Sequence, residues 1–160
     1  MGKLTTKALK MLSSKKPKAV SAALILLEEI AAVNSMSGFK ASFKPKAQKE
    51  ILSKQELKKI QKEVIRYIEN NPNDDEVITA FWCLSKFFDR KLLPFFVKML
   101  ARYFDESTQR TQALGQIILC LDNLGEKIIS GGEFSSLRED SGKTLVDAHA
   151  YLKRTKMKRK

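Results

Sequence analysis

The sequence predicts an all-α fold, and three observations carry the prediction. Glycine (7) and proline (4) are scarce in 160 residues, too few for the many turns of an all-β chain. Apolar residues recur at steps of three and four, the spacing of one helix face rather than the alternation of a strand. Where those patterns break, the residues are the ones that start and stop helices: Pro17, Ser53 with Glu56, Pro94 and Gly125. With 43% hydrophobic and 30% charged residues, the composition is globular and long enough for one core.

Taken in order, Thr5 or Thr6 caps a short helix to about Leu12. "SSKKPK" breaks it, and Pro17 suits the first position of the next helix, "KAVSAALILLEEIAAV". That segment meets Glu28 and Glu29 too early to span a bilayer. "NSMSGFKASFKPK" (Asn34–Lys46) is a loop by its Ser, Gly and Pro content. Ser53 and Glu56 form a capping box for a helix whose stripe is Leu57, Ile60, Val64, Tyr67 and Ile68.

"NNPNDD" stops that helix, and Asp74, Asp75 and Glu76 favour the positive start of the next one. This helix, "EVITAFWCLSKFF", ends at Asp89. "LLPFFVKML" (Leu92–Leu100) is a helix with Pro94 in or near its first turn, since proline opposes a strand and the run is too short for a membrane. Asp105 to Thr108 supply capping residues between this helical pattern and the next, which ends at Gly125. "SGGEF" is a loop, "SGK" a break, and a last helix covers Lys143 to about Arg154. The expected organisation is one helical domain over 1–154, with hairpins near 5–33, 53–88 and 91–125, a final helix at 143–154 and a basic tail at 155–160.

The hairpins share a register. Ala80 laid over Ala113, 33 positions on, puts Leu84 on Ile117, Phe87 on Cys120 and Phe88 on Leu121. Ala23 laid over Ala80 puts Val20 on Val77, Leu27 on Leu84 and Ile30 on Phe87. Such recurrence marks stacked two-helix units. The stretch Leu92–Leu119 resembles HEAT and armadillo-type repeats: Leu92, Leu93 and Pro94, then Asp105, then Arg110, Ala113 and Gly115 fall where a HEAT unit has them. The earlier units depart from the pattern, with Ile78 near the arginine position and a short leading helix. The resemblance implies a short α-solenoid; an irregular compact helical bundle would use the same residues.

No catalytic constellation emerges. The single histidine, His149, excludes a multi-histidine metal site and reads as a helix-surface residue. "DSGKT" ends like a phosphate loop, but Leu137 stands where its first glycine belongs. "NDDE" lacks the spacing of a calcium loop. Cys83 and Cys120 sit in apolar helical patterns and read as small core residues of a cytoplasmic chain. The expectation is a non-enzymatic protein, with no cofactor and no metal.

Net charge is +12 and uneven. Residues 1–60 carry 13 Lys and 4 Glu, residues 61–150 carry 11 basic and 14 acidic residues, and residues 151–160 add six cations. The HEAT resemblance implies a binding face on the second helix of each unit, with Lys86, Gln109, Arg110, Gln112 and Gln116 pointing outward; Phe39 and Phe43 add aromatics on a basic loop. The expected partner is a protein, acidic by charge complementarity, and the expected role an adaptor, an inhibitor or an immunity protein against a toxin. The alternative is non-sequence-specific nucleic-acid binding through the basic N-terminal region and the tail residues Lys153, Arg154, Lys156, Lys158, Arg159 and Lys160. In this reading the cations gather at the chain ends rather than along one helix face. A membrane is the least favoured partner, although "MGKLTT" fits an N-myristoylation pattern with Gly2 and Thr6 in register, a match short enough to arise by accident.

Overall fold

The computed structural model describes residues 1–35, 50–105, 110–129 and 141–157. Among them are α1 (Lys3–Leu12), α2 (Pro17–Ser35), α3 (Lys54–Asn70), α4 (Glu76–Ser85), a 3₁₀ turn (Arg90–Leu92), α5 (Leu93–Phe104), α6 (Thr111–Asn123) and α7 (Ser141–Met157). No described residue lies in a strand, so the chain is all-α in this region. The residues group into two compact units, Met1–Phe88 and Asp89–Lys160, where the sequence reads as a single domain. The grouping follows from burial: α1 to α4 pack on one another, and α5 to α7 do the same.

In the first unit α1 packs on α2 and α3 on α4, while α2 also packs on α4 and α1 touches α3. The core takes one stripe from each helix: Leu24, Leu27 and Ile30 from α2, the expected Ile60, Val64 and Ile68 from α3, and Val77, Phe81 and Leu84 from α4, all with no exposure. Each such side chain contributes roughly 1.5–3 kcal/mol by leaving water. The capping box at α3 forms in both directions: Ser53 Oγ accepts from Glu56 N–H, and Glu56 accepts from Ser53 N–H.

The start of α1 is organised differently from the expectation. Gly2, not Thr5 or Thr6, is its N-cap residue. Thr5 is fully buried, and both its N–H and its hydroxyl donate to Glu50 Oε2, at 2.9 and 2.6 Å. Leu4 N–H donates to the other oxygen. A carboxylate 45 residues away therefore caps the helix, a pairing no local rule foresees. Asn34 completes the tie: its amide donates to Ile30 O and Glu50 O, and its oxygen accepts from Leu52 N–H at 2.7 Å. Asn34 and Ser35 are thus the last turn of α2 rather than loop; residues 36–46 lie outside the described residues.

Helix α4 stops at Ser85, short of the expected Asp89. Ser85 Oγ donates back to Trp82 O at 2.7 Å, a local bond that competes with helix continuation. Phe88 then takes a left-handed φ of 49°, which no α-helical residue has. At the start of the same helix Asp75 is the N-cap residue but makes no side-chain cap bond; the nearby carboxylates act there through their charge on the helix dipole.

In the second unit, Asp89 Oδ1 accepts from Lys91 N–H and starts the 3₁₀ turn, after which Pro94 sits in the first turn of α5, where its missing N–H costs little. Phe96, Met99, Leu100 and Tyr103 of α5 are buried against α6 and α7. Asp105 is the C-cap of α5, among the expected capping residues; Arg110 is the N-cap residue of α6 and makes no side-chain cap bond, and 106–108 lie outside the described residues. Helix α7 spans Ser141–Met157, longer than the expected 143–154, and "SGK" is its first turn rather than a break before it.

Gly125 follows the C-cap of α6 with a φ of 86°. The Arg90 guanidinium donates to Leu124 O and, at 3.1 Å, to Glu126, whose other oxygen accepts from Tyr151 OH at 3.0 Å. A Cβ at Gly125 would lie 3.0 Å from Arg90 Nη1. Gly125→Ala should therefore cost about 1–2 kcal/mol, combining left-handed strain with displacement of Arg90; urea unfolding followed by circular dichroism measures it.

Candidate partner-binding face

The packed helices α2 and α4 bring aromatic, cationic and apolar groups together at the surface of the first unit. Trp82 and Lys86 are four residues apart at the end of α4, one above the other on its surface. The Lys86 ammonium lies 3.6 Å from the centroid of the Trp82 ring, a close cation–π geometry. Glu28 of α2 stands near enough to Trp82 and Lys86 for both to act on its carboxyl. Burial pushes the Glu28 carboxyl above its ordinary value, the Lys86 charge and the nearby Trp82 indole pull it back, and neighbouring Glu29 adds to the rise. Ile25, one turn earlier on α2, is 52% exposed. Ile78 and Thr79, one turn before Trp82 on α4, are half-buried.

This arrangement holds an indole, an ammonium and a carboxylate in fixed relation on two packed helices. Tryptophan in such a setting is the residue type that carries most energy in protein interfaces. Of the residues expected to face outward, Lys86 belongs here. In the second unit Gln112 is exposed and Arg110 half-buried. Gln116 is a correction: it is 9% exposed, and its amide faces Cys120 Sγ at 3.9 Å inside the unit. Beyond its first turn, where Gln112 is exposed, helix α6 buries residues on every side, from Ala113 and Leu114 to Ile117 through Leu121, and Gln116 is buried with them. Gln109, Phe39 and Phe43 lie outside the described residues.

The basic end of α7 is partly occupied. Lys153 and Arg154 are exposed, but Arg154 donates to Lys127 O at 2.9 Å and stacks 5.2 Å from the Tyr151 ring centroid. Burial, then Glu126, pushes the Tyr151 hydroxyl up to about 12. The Lys156 side chain and residues Lys158, Arg159 and Lys160 lie outside the described residues. His149 is exposed, with its ring stacked on Phe104 at 5.8 Å and 7°. Cys83 and Cys120 are buried thiols.

A cleft of about 650 Å³ opens in the first unit between the α1–α2 and α3–α4 turns, with Ser14, Lys15, Asn73 and Asp75 on its walls. There Tyr67 OH donates to Asp74 at 3.2 Å, and burial followed by the Asp74 charge pushes the phenol above its ordinary value. Among the described residues no three His, Cys, Asp or Glu side chains gather as a metal site, and no described helix is long and apolar enough to cross a membrane.

The residues that sequence reasoning missed are Ile25 and Glu28. The Trp82–Lys86 spacing was visible, but only the packing of α2 on α4 shows what stands across from it. Comparison with protein-family models, with curated proteins and with solved structures finds no match.

Proposed function

We propose that the chain is a non-enzymatic protein-binding module built from HEAT-like helical hairpins, and that it engages its partner through the α2–α4 face. The observation that carries this reading is the Lys86 ammonium over the Trp82 ring, with Glu28 of α2 nearby and Ile25 exposed one turn before Glu28. The pairing of second helix on second helix (α2 with α4) and first on first (α1 with α3) supports a stacked arrangement in the first unit. The net charge of +12 favours an acidic protein, as in an adaptor, an inhibitor or an immunity protein. Arg154 is engaged by Lys127 and Tyr151, which weakens the alternative of a C-terminal nucleic-acid arm.

Affinity capture with the intact chain, followed by identification of what is bound, tests this. The expected result is one specific partner, retained by Gln112→Ala and lost with Ile25→Asp and with Trp82→Ala. Substituting an interface tryptophan of this kind costs about 2 kcal/mol or more, roughly 30-fold in affinity. A partner that binds all three variants equally would place the interface elsewhere.

A further inference from the structure

The first-helix side of the first unit carries a second, unrelated surface. On α3, Lys54, Lys58, Lys62 and Arg66 follow one another at four-residue steps, and all are exposed. On α1, Lys3 and Lys7 repeat the same step and are also exposed. Four residues advance a helix by about 6 Å, so each row is a ladder of charge along one face. The two ladders lie on neighbouring helices, since α1 touches α3. Their starts are held together: the Met1 amino group pairs with Glu56 in the first turn of α3, and Glu50 binds the first turn of α1. The buried sides of α1 and α3 pack on α2 and α4, which turns both ladders outward. The cations thus form a face, contrary to the expectation that they merely gather at the chain ends.

None of these six side chains has a hydrogen bond or ion pair with another described residue. Helix α1 contains no acidic residue, and on α3 Glu56 is taken by Met1 and Ser53, Glu63 is half-buried and Glu69 stands past the end of the ladder. Like charges at four-residue spacing repel, so the rows are sustained at a cost that an external polyanion would relieve. At the shared start of the two helices stands Ile51, 89% exposed, with Met1 at 47%.

We propose that this α1–α3 face docks on membrane surfaces rich in anionic phospholipid headgroups. Lysine ladders supply diffuse attraction to such a surface, and Ile51 with Met1 supplies apolar groups that can enter the headgroup boundary. A phosphate backbone has no use for exposed Ile51. The face also has five lysines to one arginine, whereas arginine is the residue suited to forked phosphate contacts in nucleic acid. No exposed aromatic on α1 or α3 offers a base-stacking platform. The inference does not rest on the α2–α4 face and survives its failure.

The test is co-sedimentation of the intact chain with vesicles of phosphatidylcholine plus phosphatidylserine, and with phosphatidylcholine alone, beside a duplex-DNA mobility assay at the same ionic strength. Two variants are compared: Lys7→Glu/Lys58→Glu/Lys62→Glu, whose exposed sites leave the core intact as checked by circular dichroism, and Ile51→Asp. The expected result is binding to the anionic vesicles only. The triple variant should weaken it at least about 100-fold, from about a factor of five per lysine at the surface, and Ile51→Asp should lower vesicle binding. No sedimentation with anionic vesicles at low salt overturns the proposal. So does full binding by the triple variant. Duplex DNA held more tightly than vesicles, with Ile51→Asp without effect on either, would reassign the face to nucleic acid and overturn it as well.

Discussion

Phe81→Ala should cost the first unit about 3–5 kcal/mol, the range for removing a fully buried aromatic ring. Phe81 has no exposure and lies on α4, the helix that packs on both α2 and α3. Truncation therefore opens a cavity in a core shared by α2, α3 and α4, whose fully buried side chains are held by their own helices and cannot collapse into it freely. A loss of this size is a large share of the stability of a small unit. The only tryptophan, Trp82, lies in the same unit, so urea unfolding followed by its fluorescence reports this unit directly. A cost below 1 kcal/mol would mean that α4 is not the buried centre of the first unit.

The second large effect is at Glu50. Its carboxylate accepts from Leu4 N–H, Thr5 N–H and the Thr5 hydroxyl, so Glu50→Ala leaves a buried hydroxyl and two helix-start N–H groups without their acceptor. Hydrogen bonds to a charged group are worth about 1.5–3 kcal/mol each in favourable settings, and the groups at the partly exposed edge recover water; a net loss of about 2–3 kcal/mol is expected. A carboxylate cannot move away without consequence here, because a Cβ on Gly2 would stand 2.1 Å from its carboxyl carbon; Gly2→Ala should reproduce part of the loss by displacing it.

The same site sets an acid dependence. Burial pushes the Glu50 carboxyl up, but the hydrogen bonds from Thr5 and Leu4 and the nearby amino terminus outweigh it and hold it below its ordinary value. Glu56 is held at about 2 by the amino terminus and by Ser53. Both pKa values fall on folding, so the stability they give is present above the ordinary glutamate range and is lost as pH falls through the folded values. The unfolding midpoint of the first unit should therefore drop as pH is lowered from 5 toward 2, and Glu50→Gln should flatten that dependence. An unchanged slope in Glu50→Gln would show that the clamp on α1 is not charged.

What could be read in advance was what neighbours in sequence decide. The capping box Ser53–Glu56, Pro94 in the first turn of α5 and Gly125 beyond α6 are local geometries, and each stands in or beside its expected place. The stripe Ile60, Val64, Tyr67, Ile68 is buried because α3 has one apolar side and needs no more than that. What failed depended on distant partners. Thr5 reads as a cap until Glu50 arrives from across the chain. Gln116 reads as outward because it follows Gln112 by one turn, but beyond that first turn α6 is buried on nearly every side. The four-residue steps from Lys54 to Arg66 were present in the sequence, but a row becomes a face only when α1 lies beside α3. The proposed binding site was half visible: Lys86 was named, while Ile25 and Glu28 required the packing of α2 on α4.

The most direct measurement is site-specific photocrosslinking. A photoreactive side chain at Ile25, on the exposed surface of α2, is compared with one at Gln112 on α6, with illumination in extracts that contain the partner. The account predicts a single discrete protein adduct from position 25, abolished by Trp82→Ala in the same chain, and none from position 112. An adduct formed at position 112 and absent at 25 would contradict it.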